Sequence, residues 1–205
     1  MSDEIKTGLM DKIKKILAEN ERSDDDLYYD DIDEELSDEQ EEAELNPTKA
    51  QESCIPILCD VNNSKLHIGS EGVVTVISCE PNDLADIYEA IASMLNYDGF
   101  VNIDFSDVNL SNANGGVVKI YKAFATGDDC CAVAAQMIAR SSINADSVIL
   151  LIEASNDVTF MEVDTISSTV SSICHPDARI VWGVNLKEEK TKTVKISVLA
   201  FDEHQ

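Results

Sequence analysis

The segregation of charge along this chain restricts which part of it can fold. More than half of the residues from Glu21 to Glu44 are Asp or Glu, and Arg22 is the only cation among them. Like charges at this density repel one another and keep a segment extended and solvated. The sequence therefore predicts an acidic disordered linker over residues 21–52, closed by Pro47, with a folded unit on its C-terminal side.

The overall composition limits the classes of partner. The chain has 205 residues, of which 44% are hydrophobic, so the part outside the linker can build a core. Its formal net charge is -25 at pH 7. A chain this acidic is repelled by phosphate backbones and by anionic lipid. We therefore expect no nucleic acid partner, and the charge also disfavours binding to a membrane.

The six cysteines predict neither a metal site nor a disulfide framework. None belongs to a C-x-x-C pair, and the three histidines do not lie at metal-ligand spacing beside them. The sequence shows no signal peptide at Met1 and no stretch of eighteen apolar residues. We expect buried, reduced thiols in a cytoplasmic protein that needs no metal and no cofactor.

Residues 1–20 are predicted to form an amphipathic helix. Five apolar side chains recur at helical spacing and are the candidate partner-binding residues of this segment: Ile5, Leu9, Ile13, Ile16 and Leu17. Four lysines between residues 3 and 20 are offset by four acidic residues, which weakens attraction to an anionic bilayer. A groove on another protein or a helix pair in a homodimer is favoured. Insertion into a membrane and packing on the chain's own folded unit remain alternatives.

The remaining residues alternate between short apolar runs and amphipathic stretches. Strands are predicted over residues 54–60 and 72–79 (a two-strand extension within 53–82), 101–105, 117–124, 147–153, 180–184 and 194–201, with a hairpin at 187–192 joining the last two. Helices are predicted over 83–95, 128–140 and 161–174. The apolar strand at 147–153 should be central. The fold class is α+β, an α/β sandwich. The domain at 83–205, which follows the two-strand extension, has a mixed four-stranded sheet with helices.

One segment has a pattern of polar residues that suggests a function. Residues 99–108 read Gly-Phe-Val-Asn-Ile-Asp-Phe-Ser-Asp-Val, with Asn102, Asp104 and Asp107 spaced as Asn-x-Asp-x-x-Asp. Alone, this spacing also fits a solvated acidic turn. The segments that follow it are Ala-Arg-Ile-Val-Trp-Gly-Val-Asn at 178–185 and Lys-Ile-Ser-Val-Leu-Ala at 195–200, after an Ile-Leu-Leu-Ile strand near residue 150. In this order, they resemble the synergy loop and later strands of FtsZ, the bacterial cell-division protein of the tubulin superfamily.

The resemblance covers residues 83–202 and implies the C-terminal domain of FtsZ. FtsZ begins with a nucleotide-binding domain that carries a Gly-Gly-Gly-Thr-Gly-Thr-Gly signature, and this sequence contains no such run. Neither Gly115-Gly116 nor the segment from Gly69 to Gly72 provides the backbone amides that hold a phosphate. We therefore expect a pseudo-GTPase that binds no GTP by itself and is not an enzyme on its own.

The resemblance also implies a role for the loop. In FtsZ, one filament subunit holds GTP, and the next inserts its loop carboxylates beside the nucleotide. This places a catalytic role in trans on Asp104 and Asp107, with Asn102 as an orienting group. The expected partner is the nucleotide face of an FtsZ-type filament subunit, which the chain would cap, modulating polymerisation in the cytoplasm at the division site. The alternative is a non-catalytic adaptor or scaffold that uses its N-terminal helix to bind another protein or the membrane.

Overall fold

The computed structural model of the chain describes residues 55–70, 72–96 and 99–203. The helix predicted for residues 1–20 and the linker predicted for 21–52 lie outside these residues. The described part contains seven strands and four helices. In chain order these are β1 (Ile57–Asp60), β2 (Lys65–Ser70), β3 (Val73–Cys79), α1 (Leu84–Leu95), α2 (Phe105–Ser111), β4 (Val117–Thr126), α3 (Cys130–Ile138), β5 (Ala145–Ser155), α4 (Phe160–Ile173), β6 (Arg179–Lys187) and β7 (Thr193–Glu203).

The strands form a mixed sheet in the order β1-β2-β3-β4-β7-β5-β6. The pairs β3–β4 and β5–β6 are parallel, and the other neighbours are antiparallel. The predicted α+β fold class is confirmed. The mixed four-stranded sheet is β4-β7-β5-β6, and the meander β1-β2-β3 extends it on the β4 side through two residue pairs, Ser78 with Val117 and Cys79 with Val118.

The sheet separates two apolar cores. Along β5, Val148, Leu150 and Ile152 belong to the core that α3 and α4 cover. Ile149 and Leu151 belong to the opposite core, which α1 covers together with the inner face of the meander. Successive side chains of a strand point to opposite faces, so a strand with helices on both sides is apolar throughout. The predicted central position of this strand is confirmed, since β5 lies between β7 and β6.

Three local predictions differ from the structure. The extension before residue 82 has three strands instead of the predicted two. The additional strand is β2, which was missed because it alternates polar with apolar residues and contains no long apolar run. The strand predicted at 101–105 is wrong: Val101 forms only an isolated bridge with Val184, and α2 begins at Phe105. The hairpin predicted at 187–192 is also wrong, because β6 and β7 lie on opposite sides of β5.

Capping explains where α4 begins. Thr159 and Glu162 form a reciprocal capping box at the start of α4. Asp83 and Asp129 occupy the N-cap positions of α1 and α3, but their side chains make no capping hydrogen bond. Burial therefore contributes more than capping to α1, whose apolar face packs into the second core.

Candidate functional site

The loop between α1 and α2, residues 99–104, lies along the edge of β6. The amide of Val101 donates to the carbonyl of Val184 at 3.1 Å, and the amide of Val184 donates to the carbonyl of Val101 at 2.9 Å. This pair of hydrogen bonds gives the loop one residue of antiparallel pairing on the edge of β6 that pairs with no other strand among the described residues. The loop is therefore held by the sheet at its midpoint.

Two glycines allow the loop to approach β6 this closely. A Cβ at Gly99 would lie 2.2 Å from Asn185 Oδ1 and 2.7 Å from the carbonyl oxygen of Val184. A Cβ at Gly183 would lie 2.8 Å from two carbons of Ile103. Any larger residue would push the loop away from the strand. The contact fixes the loop where its polar side chains face outward.

Asp104 and Asp107 form the capping box of α2. Asp104 Oδ1 accepts from the amide of Asp107 at 2.9 Å and from the Ser106 hydroxyl at 2.6 Å. Asp107 Oδ2 accepts in return from the amide of Asp104 at 3.4 Å. The spacing Asp-x-x-Asp could have indicated this helix, which was not predicted, since an acceptor at the N-cap and an acid three residues later form such a box. Both carboxylates therefore have a structural role.

These hydrogen bonds also decide the proton chemistry of Asp104. The Ser106 hydroxyl, followed by the amide of Asp107, holds the pKa of the Asp104 carboxyl below its usual value. A carboxylate with a lowered pKa is a weaker proton acceptor. Asp104 is therefore suited to orient a water molecule or to present negative charge, and poorly suited to act as a general base.

Arg179, at the first position of β6, contacts this loop from the sheet. Its Nη2 donates to Asp107 Oδ1 at 3.2 Å, and the two side chains are 43% and 27% exposed. At the other end of α2, the Ser147 hydroxyl donates to the Ser111 hydroxyl at 3.0 Å. The short helix is thus tied to the sheet at both ends. Sequence reasoning missed Arg179, because it lies 72 residues from Asp107 and belongs to no local motif.

An apolar cleft opens beside the loop. It has a volume of about 110 Å³. Its lining includes four large, exposed side chains: Phe100, Phe160, Trp182 and Leu186. Phe100, two residues before Asn102, is 69% exposed. Exposed aromatic side chains grouped around a cleft are typical of protein interfaces. Sequence reasoning missed this surface, since its members come from the loop, α4 and β6.

An ion cluster fastens α1, the helix that leads into the loop, to the sheet. Lys195 Nζ lies 2.9 Å from Glu153 Oε2, and Lys187 Nζ lies 3.0 Å from Glu153 Oε1. Lys195 also pairs with Glu89, and the Ser93 hydroxyl donates to Glu153 Oε1 at 3.0 Å. Burial alone raises the pKa of Glu153, but Lys195 and Lys187 outweigh it and hold the pKa below its usual value. The cluster therefore carries a charged carboxylate in the interior.

The described residues contain no group of three or more His, Cys, Asp or Glu side chains placed to hold a metal ion. Their cysteines carry free thiols, and burial raises the pKa of Cys79 and of Cys131 to about 12. Such thiols are poor nucleophiles at neutral pH. No helix in this part of the chain is long and apolar enough to cross a membrane.

The structure brings the predicted loop residues together on one surface. Asn102 and Asp104 are exposed, and Asp107 is half-buried beside Arg179. Asn102 Oδ1 accepts from the amide of Gly99 at 2.6 Å, which helps to close the loop. The other predicted contact residues lie outside the described part of the chain: Ile5, Leu9, Ile13, Ile16 and Leu17.

Comparison with known proteins finds similarity to FtsZ over the C-terminal half of the chain. Residues 125–202 match the model of the FtsZ family, C-terminal domain. The chain is 26% identical over 119 residues to cell division protein FtsZ 1 of Methanocaldococcus jannaschii, covering 55% of this chain and 33% of that protein. It is 29% identical over 118 residues to FtsZ 1 of Thermococcus kodakarensis, covering 55% of this chain and 32% of that protein.

Solved structures agree with the sequence comparisons. An empty FtsZ dimer from M. jannaschii superposes with a TM-score of 0.51 at 25% identity, covering 58% of this chain and 37% of that chain. The predicted resemblance to the FtsZ C-terminal domain is confirmed. The chain spans about a third of the length of the curated relatives that it matches.

Proposed function

We propose that this chain, whose C-terminal part is an FtsZ-like C-terminal domain, docks through its loop face on the nucleotide face of an FtsZ-type filament subunit and caps the filament. We define the loop face as residues 99–107, Arg179 and the apolar cleft beside them. Binding there would modulate polymerisation and, with it, cell division.

The observation that carries the proposal is the preorganised loop. Two backbone hydrogen bonds join Val101 to Val184, and Gly99 lies against β6 with no room for a side chain. Asn102 and Asp104 remain exposed on this rigid support. A loop that is already ordered loses little conformational entropy when it binds, which favours affinity.

The apolar cleft supports docking by supplying surface to bury. Its aromatic members, Phe100, Phe160 and Trp182, flank the polar loop. Buried aromatic side chains contribute most of the binding free energy in many interfaces, with polar groups around them. The loop face thus combines an apolar region with carboxylates that set the orientation.

Capping follows from the presence of one interaction face. A head-to-tail filament grows only when each subunit offers two unlike surfaces. We propose that this chain is a pseudo-GTPase that offers the loop face but holds no nucleotide of its own, so a docked copy stops growth. Isothermal titration with GTP should then show no binding at micromolar concentrations. Saturable binding in that range would contradict the pseudo-GTPase proposal.

In the docked state, the carboxylates would act on the partner's nucleotide. Because its pKa is lowered, Asp104 would orient a water molecule and leave proton transfer to another acceptor. Asp107 would remain the capping partner that keeps Asp104 in place. The contribution in trans would therefore come from positioning the water.

The test uses FtsZ 1 of M. jannaschii as the filament. The chain is added at substoichiometric ratios to FtsZ and GTP, and polymer mass is measured by sedimentation together with phosphate release. Shorter polymer with the wild-type chain supports capping. The double variant Asp104→Asn, Asp107→Asn keeps side-chain acceptors at both positions but removes both negative charges, so the wild-type effect should change in one of two ways. Glu189→Gln is the matched control, because it removes an exposed carboxylate from the connection that follows the opposite end of β6.

The two measurements separate two roles of the carboxylates. If they act chemically, wild type changes the rate of phosphate release per filament end, and the double variant still shortens polymer without this change. If they act only as charge in the contact, the double variant no longer shortens polymer. The capping proposal fails if wild type leaves both polymer mass and phosphate release unaltered.

The capping box of α2 favours a second candidate. Asp104 and Asp107 have a structural role that would keep them in place without any filament. A non-catalytic adaptor would bind its partner through residues 3–20 and use the folded domain as a scaffold. Deletion of residues 1–20 distinguishes the two: the adaptor loses all partner binding, whereas the cap still shortens polymer.

A further inference from the structure

We propose that Arg179 is the residue of the loop face that contacts phosphate on the docked partner. The inference rests on the proposed function, since it concerns the same face, and it names the chemical group that this face recognises: the terminal phosphate of a nucleoside triphosphate held by the partner subunit.

The loop face carries two negatively charged carboxylates, and Arg179 offsets part of that charge. Asp104 and Asp107 both present carboxylates there, in a chain whose net charge is -25. A polyphosphate brought against two carboxylates is repelled unless a cation lies between or beside them. Arg179 is the cation that pairs with these carboxylates, through Asp107. It enters from the sheet and not from the loop, so it can face the same ligand from a different side.

The guanidinium of Arg179 has N–H donors that the contact with Asp107 does not use. It contacts Asp107 through a single hydrogen bond of 3.2 Å from Nη2, and the Arg179 side chain is 43% exposed. A guanidinium carries five N–H donors in a planar fork that fits the oxygens of a phosphate in a bidentate manner. An exposed pair joined by one long hydrogen bond contributes little to stability, so it exchanges readily for a stronger contact.

Releasing Arg179 does not dismantle the loop. Asp107 uses Oδ1 for Arg179 and Oδ2 for the amide of Asp104, so the capping hydrogen bond involves the other oxygen. Val108, the residue after Asp107, is fully buried and anchors α2 independently of the ion pair. The arginine can therefore turn from Asp107 toward a phosphate while the loop keeps its shape.

Three basic side chains at the far end of β6 and β7 are engaged elsewhere. Lys187 and Lys195 belong to the ion cluster with Glu153, and Lys192 pairs with Glu162 in α4. Lys190, by contrast, is exposed in the connection after β6. It follows the end of β6 opposite to Arg179, which places it roughly 25 Å or more away at about 3.3 Å per residue of strand. Lys190→Ala is therefore a matched control for the loss of one positive charge.

The experiment measures preference for the nucleotide state. Filaments of M. jannaschii FtsZ are assembled with a slowly hydrolysed GTP analogue or converted to GDP, and binding of the full chain to filament ends is titrated. We expect wild type to bind the triphosphate ends about tenfold more tightly than the diphosphate ends, which is the order of one charge-assisted contact. Arg179→Ala should lose this preference, and Arg179→Lys should keep part of it. Lys190→Ala should keep all of it.

The outcomes are distinct. If Arg179→Ala weakens binding to both kinds of end equally, the residue only positions Asp107, and the inference is overturned. If the variant binds like wild type, the inference is likewise wrong, although docking itself stands. If wild type binds neither kind of end, the proposed function fails first. Thermal unfolding of Arg179→Ala and Arg179→Gln, expected to give a Tm close to that of wild type because the pair is exposed, checks that the loss is not unfolding.

Discussion

Substitution of Asp104 separates the structural role of the loop carboxylates from their proposed role in docking. Asp104 Oδ1 accepts two hydrogen bonds, at 2.9 Å from the amide of Asp107 and at 2.6 Å from Ser106. Asp104→Ala removes both. Because residue 104 is exposed, water replaces the lost acceptor, and the cost is that of an ordinary N-cap, about 1 kcal/mol. In a domain of this size, that lowers the Tm by roughly 3 °C.

Asp104→Asn is the informative companion. Asn is as good an N-cap as Asp, so the variant should unfold within about 0.3 kcal/mol of wild type while lacking the negative charge. Chemical denaturation measures both variants. Amide hydrogen exchange at Asp107 and Val108, where α2 begins, reports the same difference locally. We expect exchange about fivefold faster in the Ala variant than in the Asn variant, since 1 kcal/mol corresponds to about that factor.

Two results would refute this reasoning. Equal stability and equal exchange for Asp104→Ala and wild type would show that the capping box does not hold α2. A destabilisation of Asp104→Asn as large as that of Asp104→Ala would show that charge, and not hydrogen bonding, is what α2 needs. If Asp104→Asn keeps its stability but no longer shortens FtsZ polymer, the charge is required for docking. This pair also shows why Ala is a poor test of docking: it changes the fold of the loop as well as its charge.

The remaining predictions concern Gly99, the ion cluster around Glu153 and two buried thiols. Gly99→Ala should destabilise the fold by about 2 kcal/mol, because its Cβ meets β6 below 3 Å, whereas Gly69→Ala, whose nearest atoms lie at 3.9 Å, should change unfolding in denaturant far less. The pKa of Glu153 is lower in the folded protein than in the unfolded chain, so its contribution is complete above about pH 4.3 and is lost as the pH falls through the folded value. Glu153→Gln should therefore flatten the acid limb of a stability–pH profile measured between pH 5 and 3, and an unchanged limb would contradict the ion-cluster argument. With the pKa of each raised to about 12, Cys79 and Cys131 should resist alkylation at pH 8 until the protein unfolds, and mass spectrometry showing either thiol modified in the folded protein would overturn this.

Much of the fold could be predicted from local patterns. The helix at 84–95 and the apolar strand at 145–155 were predicted with boundaries within a few residues, because periodicity and burial act within one element. β2 was missed because its alternation is short and interrupted by Gly69. The helix at 105–111 was not predicted, and a strand was placed at 101–105 instead, although Asp104 and Asp107 have the spacing of a capping box at a helix start.

The candidate site was only partly predictable. Asn102, Asp104 and Asp107 follow from their spacing and from the resemblance to FtsZ. The lowered pKa of Asp104 depends on hydrogen-bond geometry that the spacing of the residues does not reveal. The cleft beside them joins side chains from three separate segments.

The sequence alone determined most of the helical and extended segments among the described residues, since these depend on side chains close together along the chain. Only the tertiary structure decided that β7 pairs with β4 and β5, that the loop lies on β6, and that Arg179 meets Asp107. Such contacts join residues far apart in the chain. They form because two cores must be closed on the two faces of one sheet at the same time, a condition that no local window of sequence contains.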